Sequence, residues 1–200
     1  MTHIVDTISP KKMVNNIHRT YDQASEEERL SGATWYLDAN TFCKNLAEDT
    51  DLSLEVVAGI TAVMSPRVEW GLNKRMAIKF CNGEPVGGLP ESLRKAQAIL
   101  DGDPFDSVFK GNSYKVRSFY GCIVDPWSDI FVVIDRHAAA VACGTKQLAD
   151  NVMSSLDSKG RYGKMAEAYR KAAEAEGIIP LVAQASTWSA HKRLKKMLAS

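Results

Sequence analysis

The chain is predicted to fold as an all-α protein, and three features of the sequence indicate this. Apolar residues recur at helical spacing through most of its 200 residues. A polar capping residue precedes a proline at Ser9-Pro10 and again at Asp103-Pro104, a typical signal for the start of a helix. The apolar run 130–134 could be a strand, but no partner strand is evident, so we expect a buried extended segment there.

Helix-start and helix-stop signals divide the first half of the chain. Pro10 begins a predicted helix that ends at about Tyr21, and the acidic run 26–28 precedes a short one. The next apolar stripes predict helices over about 33–46, from Ser53 to a break at Pro66, and over about 69–80.

The second half follows the same pattern after a glycine-rich loop at 82–88. Predicted helices run from Pro90 to about Leu100, from a glycine turn at 111 to about Ile123, and onward from Asp135. Two more are expected over about 161–175 and 181–198. We expect one helical domain over residues 1–200, built of two small lobes that share a cleft.

Composition limits the classes of function. The chain is 45% hydrophobic and 24% charged, as in a typical water-soluble globular protein, and it has no signal peptide and no apolar run that could cross a bilayer. We therefore expect a cytoplasmic protein. The net charge is only +1, so any binding to nucleic acid must depend on local patches such as the basic run 191–196, which is also a favourable helix end.

The four cysteines are isolated from one another in the sequence. None forms a C-x-x-C pair, which argues against a zinc site or an iron–sulfur cluster. Each lies in an apolar helical context and is expected to be a small buried side chain in a reducing compartment. The sequence predicts no metal site and no cofactor.

The turn Gly111-Asn112-Ser113-Tyr114-Lys115 is the first candidate site. Backbone N–H groups at the start of a helix suit a phosphate, although a plain loop has the same pattern. Lys115 lies one turn into the helix and is open to three interpretations: a solvated lysine, a phosphate contact, or an amine nucleophile.

Asp135 is the second candidate, because it follows the most hydrophobic run of the protein. It can be the N-cap of the next helix, and it can also be a carboxylate that accepts a proton or stabilises positive charge in a cleft. Arg136 is a salt-bridge partner or an anion clamp, and His137 is structural or functional.

Two further segments carry polar and aromatic groups. In the junction 65–74, Arg67 can contact a phosphate and Trp70 can stack on a base, or the segment is only a turn. Gln184 and Trp188 lie four residues apart on one face of the last helix, where the alternative is a core tryptophan with an exposed glutamine.

Taken in order, these segments resemble the helix-hairpin-helix DNA glycosylase superfamily, the endonuclease III-like proteins, over roughly residues 54 to 145. Segment 62–74 is similar to the family's Leu-Ser-Ala-Gln segment and later Val-Asn-Lys, segment 111–117 to its Gly-Val-Gly-Arg-Lys-Thr-Ala hairpin, and segment 134–137 to its Val-Asp-Thr-His segment. Ser113 replaces the hairpin's second glycine, and the cluster-binding cysteines of the endonuclease III branch are absent.

Three segments are more similar to a phage-encoded branch of this superfamily: Ser65-Pro66 through Asn73, Ile134 through Ala138, and Ala183-Gln184-Ala185 with Trp188. That branch includes the amino acid:DNA transferases of thymine hypermodification, once predicted to be thymine pyrophosphorylases. Its members let an amine displace an activated phosphate or pyrophosphate from the 5-methyl carbon of a base in DNA.

The resemblance implies a two-lobed helical fold with a central cleft, no iron–sulfur cluster, and a hairpin and catalytic aspartate within 105–145. It implies Asp135 and Lys115 as catalytic residues acting on a base flipped out of the stack. The implied DNA- or substrate-binding residues are Gly111, Ser113, Ser65, Arg67, Trp70, Asn73, Arg136, His137, Gln184 and Trp188.

The expected partners are double-stranded DNA that carries a modified pyrimidine and an amino acid or amine co-substrate, in the host cytoplasm. A transferase is the first hypothesis. A DNA glycosylase, with lyase activity through Lys115, and a non-catalytic DNA-binding relative are the alternatives.

Overall fold

The computed structural model describes residues 3–111, 113–146, 148 and 158–197, and every regular element in these ranges is a helix. The all-α prediction is therefore confirmed for these residues. In chain order the helices are α1 (Ile4–Thr7), α2 (Pro10–Asp22), α3 (Glu26–Thr50), α4 (Leu54–Met64), α5 (Trp70–Cys81), α6 (Pro90–Leu100), α7 (Phe105–Val108), α8 (Tyr114–Val124), α9 (Arg136–Cys143), α10 (Lys159–Glu176) and α11 (Pro180–Met197).

Local capping explains several of these helix starts. The Ser9 hydroxyl accepts a hydrogen bond from the backbone N–H of Lys12, with Pro10 at the first helical position. Ser53 caps α4 in the same way, and α4 ends at Met64, just before Pro66. None of the helices in the described ranges is long and apolar enough to cross a membrane.

Two predicted boundaries were wrong. Helix α3 is continuous from Glu26 to Thr50, where two helices were expected. Gly32 lies inside α3 and does not end the helix. Its missing side chain makes room for Ser186 of α11, so this glycine serves packing. At Asp103-Pro104 it is Pro104 that precedes the one-turn helix α7, and no side chain caps this helix.

The chain divides into two compact units, Met1–Tyr36 with Trp127–Ser200 (unit 1) and Leu37–Pro126 (unit 2). In unit 1 the alanine-rich α9 packs against α2, α10 and α11, and residues 138–143 are all buried. In unit 2, helices α4 to α8 enclose a core that includes Ile60, Met64 and Ile99.

Candidate functional site

The backbone of the extended segment before Asp135 is hydrogen-bonded to a side chain, where a sheet would supply a partner strand. Val132, Val133 and Ile134 are buried, as expected, whereas Ile130 is exposed. The Tyr162 hydroxyl on α10 accepts a hydrogen bond from the backbone N–H of Ile134 at 3.0 Å and donates one to the carbonyl of Val132 at 2.8 Å. These bonds satisfy backbone groups that would otherwise be buried without partners, and they fix the position of the residue that follows.

Asp135 caps α9 and is bound from a second helix as well. Its Oδ1 accepts hydrogen bonds from the backbone N–H groups of His137 at 2.9 Å and Ala138 at 2.8 Å. Its Oδ2 accepts one from the indole N–H of Trp188 at 3.0 Å. The predicted capping role is therefore present, and the half-buried carboxylate is also fixed in orientation by Trp188.

His137 and His191 form a pair beside this carboxylate. Their Nδ1 atoms lie 3.1 Å apart, and the His137 ring meets the Trp188 ring edge-on at 5.7 Å between centroids. Burial lowers the pKa of both imidazoles, and the positive charge of Lys195 acts in the same direction, although the charge of Asp135 opposes it. Both rings are therefore predominantly neutral at pH 7 and able to accept a proton.

His191 was not among the predicted residues, although its spacing contained a signal. Gln184, Trp188 and His191 follow one another at i, i+4 and i+7, which places all three on one face of α11. The basic run that contains His191 predicts a solvated or DNA-binding patch as a whole, so the sequence does not single out the buried histidine within it.

Positively charged side chains border Asp135 and the histidine pair beside it. The Lys192 ammonium lies 4.1 Å from the centroid of the Trp188 ring, and Arg136 is exposed in the first turn of α9. Arg193 points elsewhere: its guanidinium binds both oxygens of Glu28, at 2.9 and 3.0 Å. Lysines 192 and 195 with Arg136 suit an anionic ligand at this end of α9.

The alternative interpretation of the Gln184 and Trp188 pair is reversed in the structure. Gln184 is the buried member, 4% exposed, and its Oε1 accepts a hydrogen bond from the Tyr36 hydroxyl at 2.8 Å. Trp188 is the half-exposed one. Gln184 therefore has a packing role within unit 1.

The glycine turn lies in unit 2. Gly111 has a φ of 71°, and α8 begins three residues later with Ser113 as its N-cap. The Ser113 hydroxyl accepts a hydrogen bond from the Lys95 ammonium at 3.1 Å, and Lys115 is half-exposed in the first turn of α8. Asn112 of the predicted turn lies outside the described residues.

The 65–74 junction is also in unit 2, and its predicted residues divide into two kinds. Arg67 is exposed and adopts a left-handed backbone conformation with a φ of 63°. Asn73 is 1% exposed and donates a hydrogen bond to the carbonyl of Thr61 at 3.1 Å, which gives it a packing role between α5 and α4.

The other two junction residues are partly buried. Trp70 packs edge-on against Phe42 and Phe119, with centroid distances of 5.8 and 6.2 Å. The Ser65 hydroxyl donates a hydrogen bond back to the carbonyl of Ala62 at 2.9 Å.

The cysteines and other metal-binding side chains are dispersed. No group of three or more His, Cys, Asp or Glu side chains that could hold a metal ion occurs within the described ranges. Burial raises the pKa of the Cys43 thiol to about 12 and that of Cys81 and Cys143 to about 11, so these side chains are protonated at pH 7.

Comparison with known proteins gives a family for the chain. No curated protein and no solved structure matches it significantly. The model of DUF7178, a family of unknown function, matches residues 1–195. Because this match spans nearly the whole sequence, the chain belongs to the DUF7178 family.

Proposed function

We propose that the protein is a DNA base-modifying transferase on a glycosylase-like helical scaffold with two lobes and a central cleft. It joins an amino acid or amine to a phosphorylated 5-hydroxymethyluracil base in phage DNA. The observation that carries this proposal is the cluster in unit 1, where the oriented Asp135 carboxylate, the neutral His137 imidazole and the Lys192 ammonium meet at the N-terminal end of α9.

Each part of the cluster suits one requirement of the reaction. An ammonium ion must lose a proton before its nitrogen can attack, and His137 or Asp135 can accept that proton. The new C–N bond forms at the 5-methylene carbon as the C–O bond to the phosphate breaks and the phosphate takes the electron pair. Lys192 and Arg136 can neutralise the charge on this leaving group.

The glycine turn of unit 2 is assigned the role of binding the DNA backbone. Gly111, Ser113 and Lys115 provide a glycine-led turn, a helix start and a half-exposed ammonium, which are groups that bind phosphate. Ser65, Arg67 and Trp70 are assigned to DNA binding as well. The substrate is a flipped base, since its 5-methylene carbon must enter an active site.

A DNA glycosylase is the second candidate, favoured by the capping geometry of Asp135. Two backbone N–H groups and an indole N–H fix this carboxylate in orientation, which suits stabilisation of an oxocarbenium-like sugar. Lys115 would then supply an amine for strand cleavage. A DNA-binding relative without catalytic activity would not need the Asp135 carboxylate.

One assay separates these functions. The protein is incubated with duplex DNA that carries uracil, damaged bases or phosphorylated 5-hydroxymethyluracil, together with a mixture of amino acids and amines, and the nucleosides are analysed by mass. An amine-substituted thymine nucleoside is the expected product. Abasic sites without amine incorporation would eliminate the transferase and support the glycosylase.

The matched variants are Asp135→Asn and Asp129→Asn. Asp135→Asn is expected to keep DNA binding and lose turnover by orders of magnitude, because its amide cannot accept a proton. Asp129 is exposed in the preceding segment, so its variant is expected to behave as the wild type. Unchanged turnover in Asp135→Asn would remove this residue from the mechanism.

A further inference from the structure

Two tyrosines of α10 bind the backbone on either side of Asp135. Tyr162 and Tyr169 lie seven residues apart, so two helical turns place them on one face of α10. The Tyr162 hydroxyl bonds a backbone N–H and a carbonyl just before Asp135. The Tyr169 hydroxyl donates a hydrogen bond to the carbonyl of Ala138, after Asp135, at 3.2 Å. The backbone over 132–138 is therefore hydrogen-bonded to α10 at both ends.

The two tyrosines differ in what their loss would leave behind. Val132 and Ile134 are 1% and 0% exposed, so the carbonyl and the N–H that Tyr162 binds are shielded from solvent. One hydroxyl serves both groups because it can donate and accept at the same time. The Ala138 carbonyl lies within α9, where the helix supplies its own i to i+4 hydrogen bond. Only the loss of the Tyr162 hydroxyl leaves two buried backbone groups without partners.

The position of Ile134 decides where the next residue, Asp135, meets α11. The Asp135 Oδ1 bonds the first turn of α9 and moves with that helix, whereas Oδ2 accepts from the indole N–H of Trp188 on α11 at 3.0 Å. A hydrogen bond weakens steeply once its distance or angle leaves the preferred range. A displaced backbone at Ile134 therefore breaks the contact between Asp135 and Trp188 before it breaks the helix cap.

We propose that Tyr162 is a positioning residue for Asp135. Its hydroxyl fixes the backbone before Asp135, so that the carboxylate meets Trp188 and the incoming amine in one geometry. Tyr162 touches no reacting atom and acts only through Asp135. The catalytic use of this geometry rests on the function proposed above, whereas the geometry itself can be tested without a substrate.

Tyr162→Phe removes the hydroxyl and keeps the ring. Proton–nitrogen NMR spectra of the full chain labelled with ¹⁵N-tryptophan show four indole N–H signals, and Trp188→Phe identifies the one from Trp188. In Tyr162→Phe we expect the Trp188 signal to move upfield and to exchange with water about tenfold faster or more, because its bond to Asp135 is lost. An unchanged Trp188 signal in a folded Tyr162→Phe chain would overturn the proposal.

Asn16→Leu is the matched control for a purely structural loss. Asn16 on α2 is 3% exposed, and its Nδ2 donates a hydrogen bond to the carbonyl of Ala142 at 3.0 Å, at the opposite end of α9 from Asp135. Leucine has a similar shape and removes this buried bond. We expect lower stability with the Trp188 signal and the turnover unchanged. A Trp188 signal displaced equally in both variants would overturn the proposal, since any loosening of α9 would then have this effect.

Turnover provides a second readout. Tyr162→Phe is expected to lower kcat about 10–100-fold with KM little changed, because a misplaced carboxylate affects the chemical step more than binding. If the Trp188 signal moves and the wild type turns over no substrate, only the transferase function fails. If the signal moves and the kcat of an active enzyme stays the same, the positioning role fails.

The wild type decides the matter if Tyr162→Phe does not fold. Hydrogen exchange is followed in urea below the unfolding transition, at the backbone N–H of Ile134 and the indole N–H of Trp188. The opening that exposes Ile134 is expected to expose Trp188 as well. An Ile134 N–H that exchanges while the Trp188 indole stays protected would overturn the proposal, because the bond to Tyr162 would then open without moving Asp135.

Discussion

The indole N–H of Trp188 donates a 3.0 Å hydrogen bond to Oδ2 of Asp135, while Oδ1 of the same carboxylate caps α9. The bond joins residues 53 positions apart in the chain. The bond connects α11 to the start of α9, and it fixes the orientation of the carboxylate. Trp188 therefore orients a carboxylate to which the proposed function assigns a catalytic role, and its effect on stability and turnover can be tested directly.

Replacing Trp188 with Phe is expected to lower the free energy of unfolding by about 1–2 kcal/mol, because a hydrogen bond to a charged, partly buried group is lost while most of the ring remains. Turnover is expected to fall as well. Trp127→Phe is the control, since Trp127 is 67% exposed and surface substitutions change stability by about 0.5 kcal/mol or less. Urea unfolding followed by circular dichroism measures the free energy of unfolding of the two variants. Equal stabilities of Trp188→Phe and Trp127→Phe would contradict the role of the indole N–H.

The helix boundaries that the sequence predicts correctly are those with a local chemical cause. Ser9-Pro10, Ser53 and Pro66 act on backbone groups within a turn of themselves, so their effects can be predicted without knowledge of the fold. Gly32 lies within the single helix α3, where two helices were predicted, and the residue that explains this glycine is Ser186, more than 150 positions away in the chain. A glycine needed for close approach and a glycine that ends a helix have the same appearance in a sequence.

The features of the candidate site also divide into those with a local cause in the sequence and those with a distant one. The capping role of Asp135 is local and was predictable from the apolar run before it. The Tyr162 hydroxyl that replaces a partner strand, and the His191 ring that meets His137, come from distant helices. The spacing of His191 places it on the same face of α11 as Trp188, but no periodicity names the partner of such a hydrogen bond, so only the folded chain reveals the contact.

The histidine pair is expected to make stability depend on pH. Burial lowers the folded-state pKa of His137 and His191 below the ordinary value of 6.5, so near and below that pH the unfolded chain binds more protons than the folded one. The contribution of the pair to stability is therefore present above about pH 6.5–7 and is lost progressively as the pH falls below 6.5.

Urea unfolding at a series of pH values between 5 and 7.5 measures this slope. A His137→Asn/His191→Asn double variant should show a clearly flatter profile over this range. The lowered pKa of Glu28, held down chiefly by its bond to Arg193, acts mainly below pH 4.5 and does not overlap the window. An equally steep profile in the double variant would assign the slope to other groups.

Gly32→Ala is expected to destabilise unit 1 by about 1–3 kcal/mol or more, because overpacking forces backbone to move. A Cβ atom at this position would lie 2.2 Å from the Ser186 Oγ and 2.6 Å from its backbone nitrogen. Gly163→Ala in α10 is the control: its Cβ would meet nothing within 4 Å, and the change should stabilise the helix by about 0.5–1 kcal/mol. Thermal unfolding that ranks Gly32→Ala equal to or above Gly163→Ala would contradict the close approach of α3 and α11.

Lys115→Gln is expected to weaken binding to duplex DNA and to reduce the slope of log affinity against log salt by about 1, the signature of one lost phosphate contact. Lys79→Gln removes the same charge from an exposed position on α5 of the same unit, so the net charge of the two variants is equal. Fluorescence anisotropy at several salt concentrations measures both slopes. If the two variants lose the same affinity and the same slope, binding follows overall charge, and the assignment of the glycine turn to the DNA backbone is lost. If only Lys115→Gln changes the slope, the contact belongs to the start of α8, where the backbone N–H groups of the first helical turn and the ammonium can act on one phosphate.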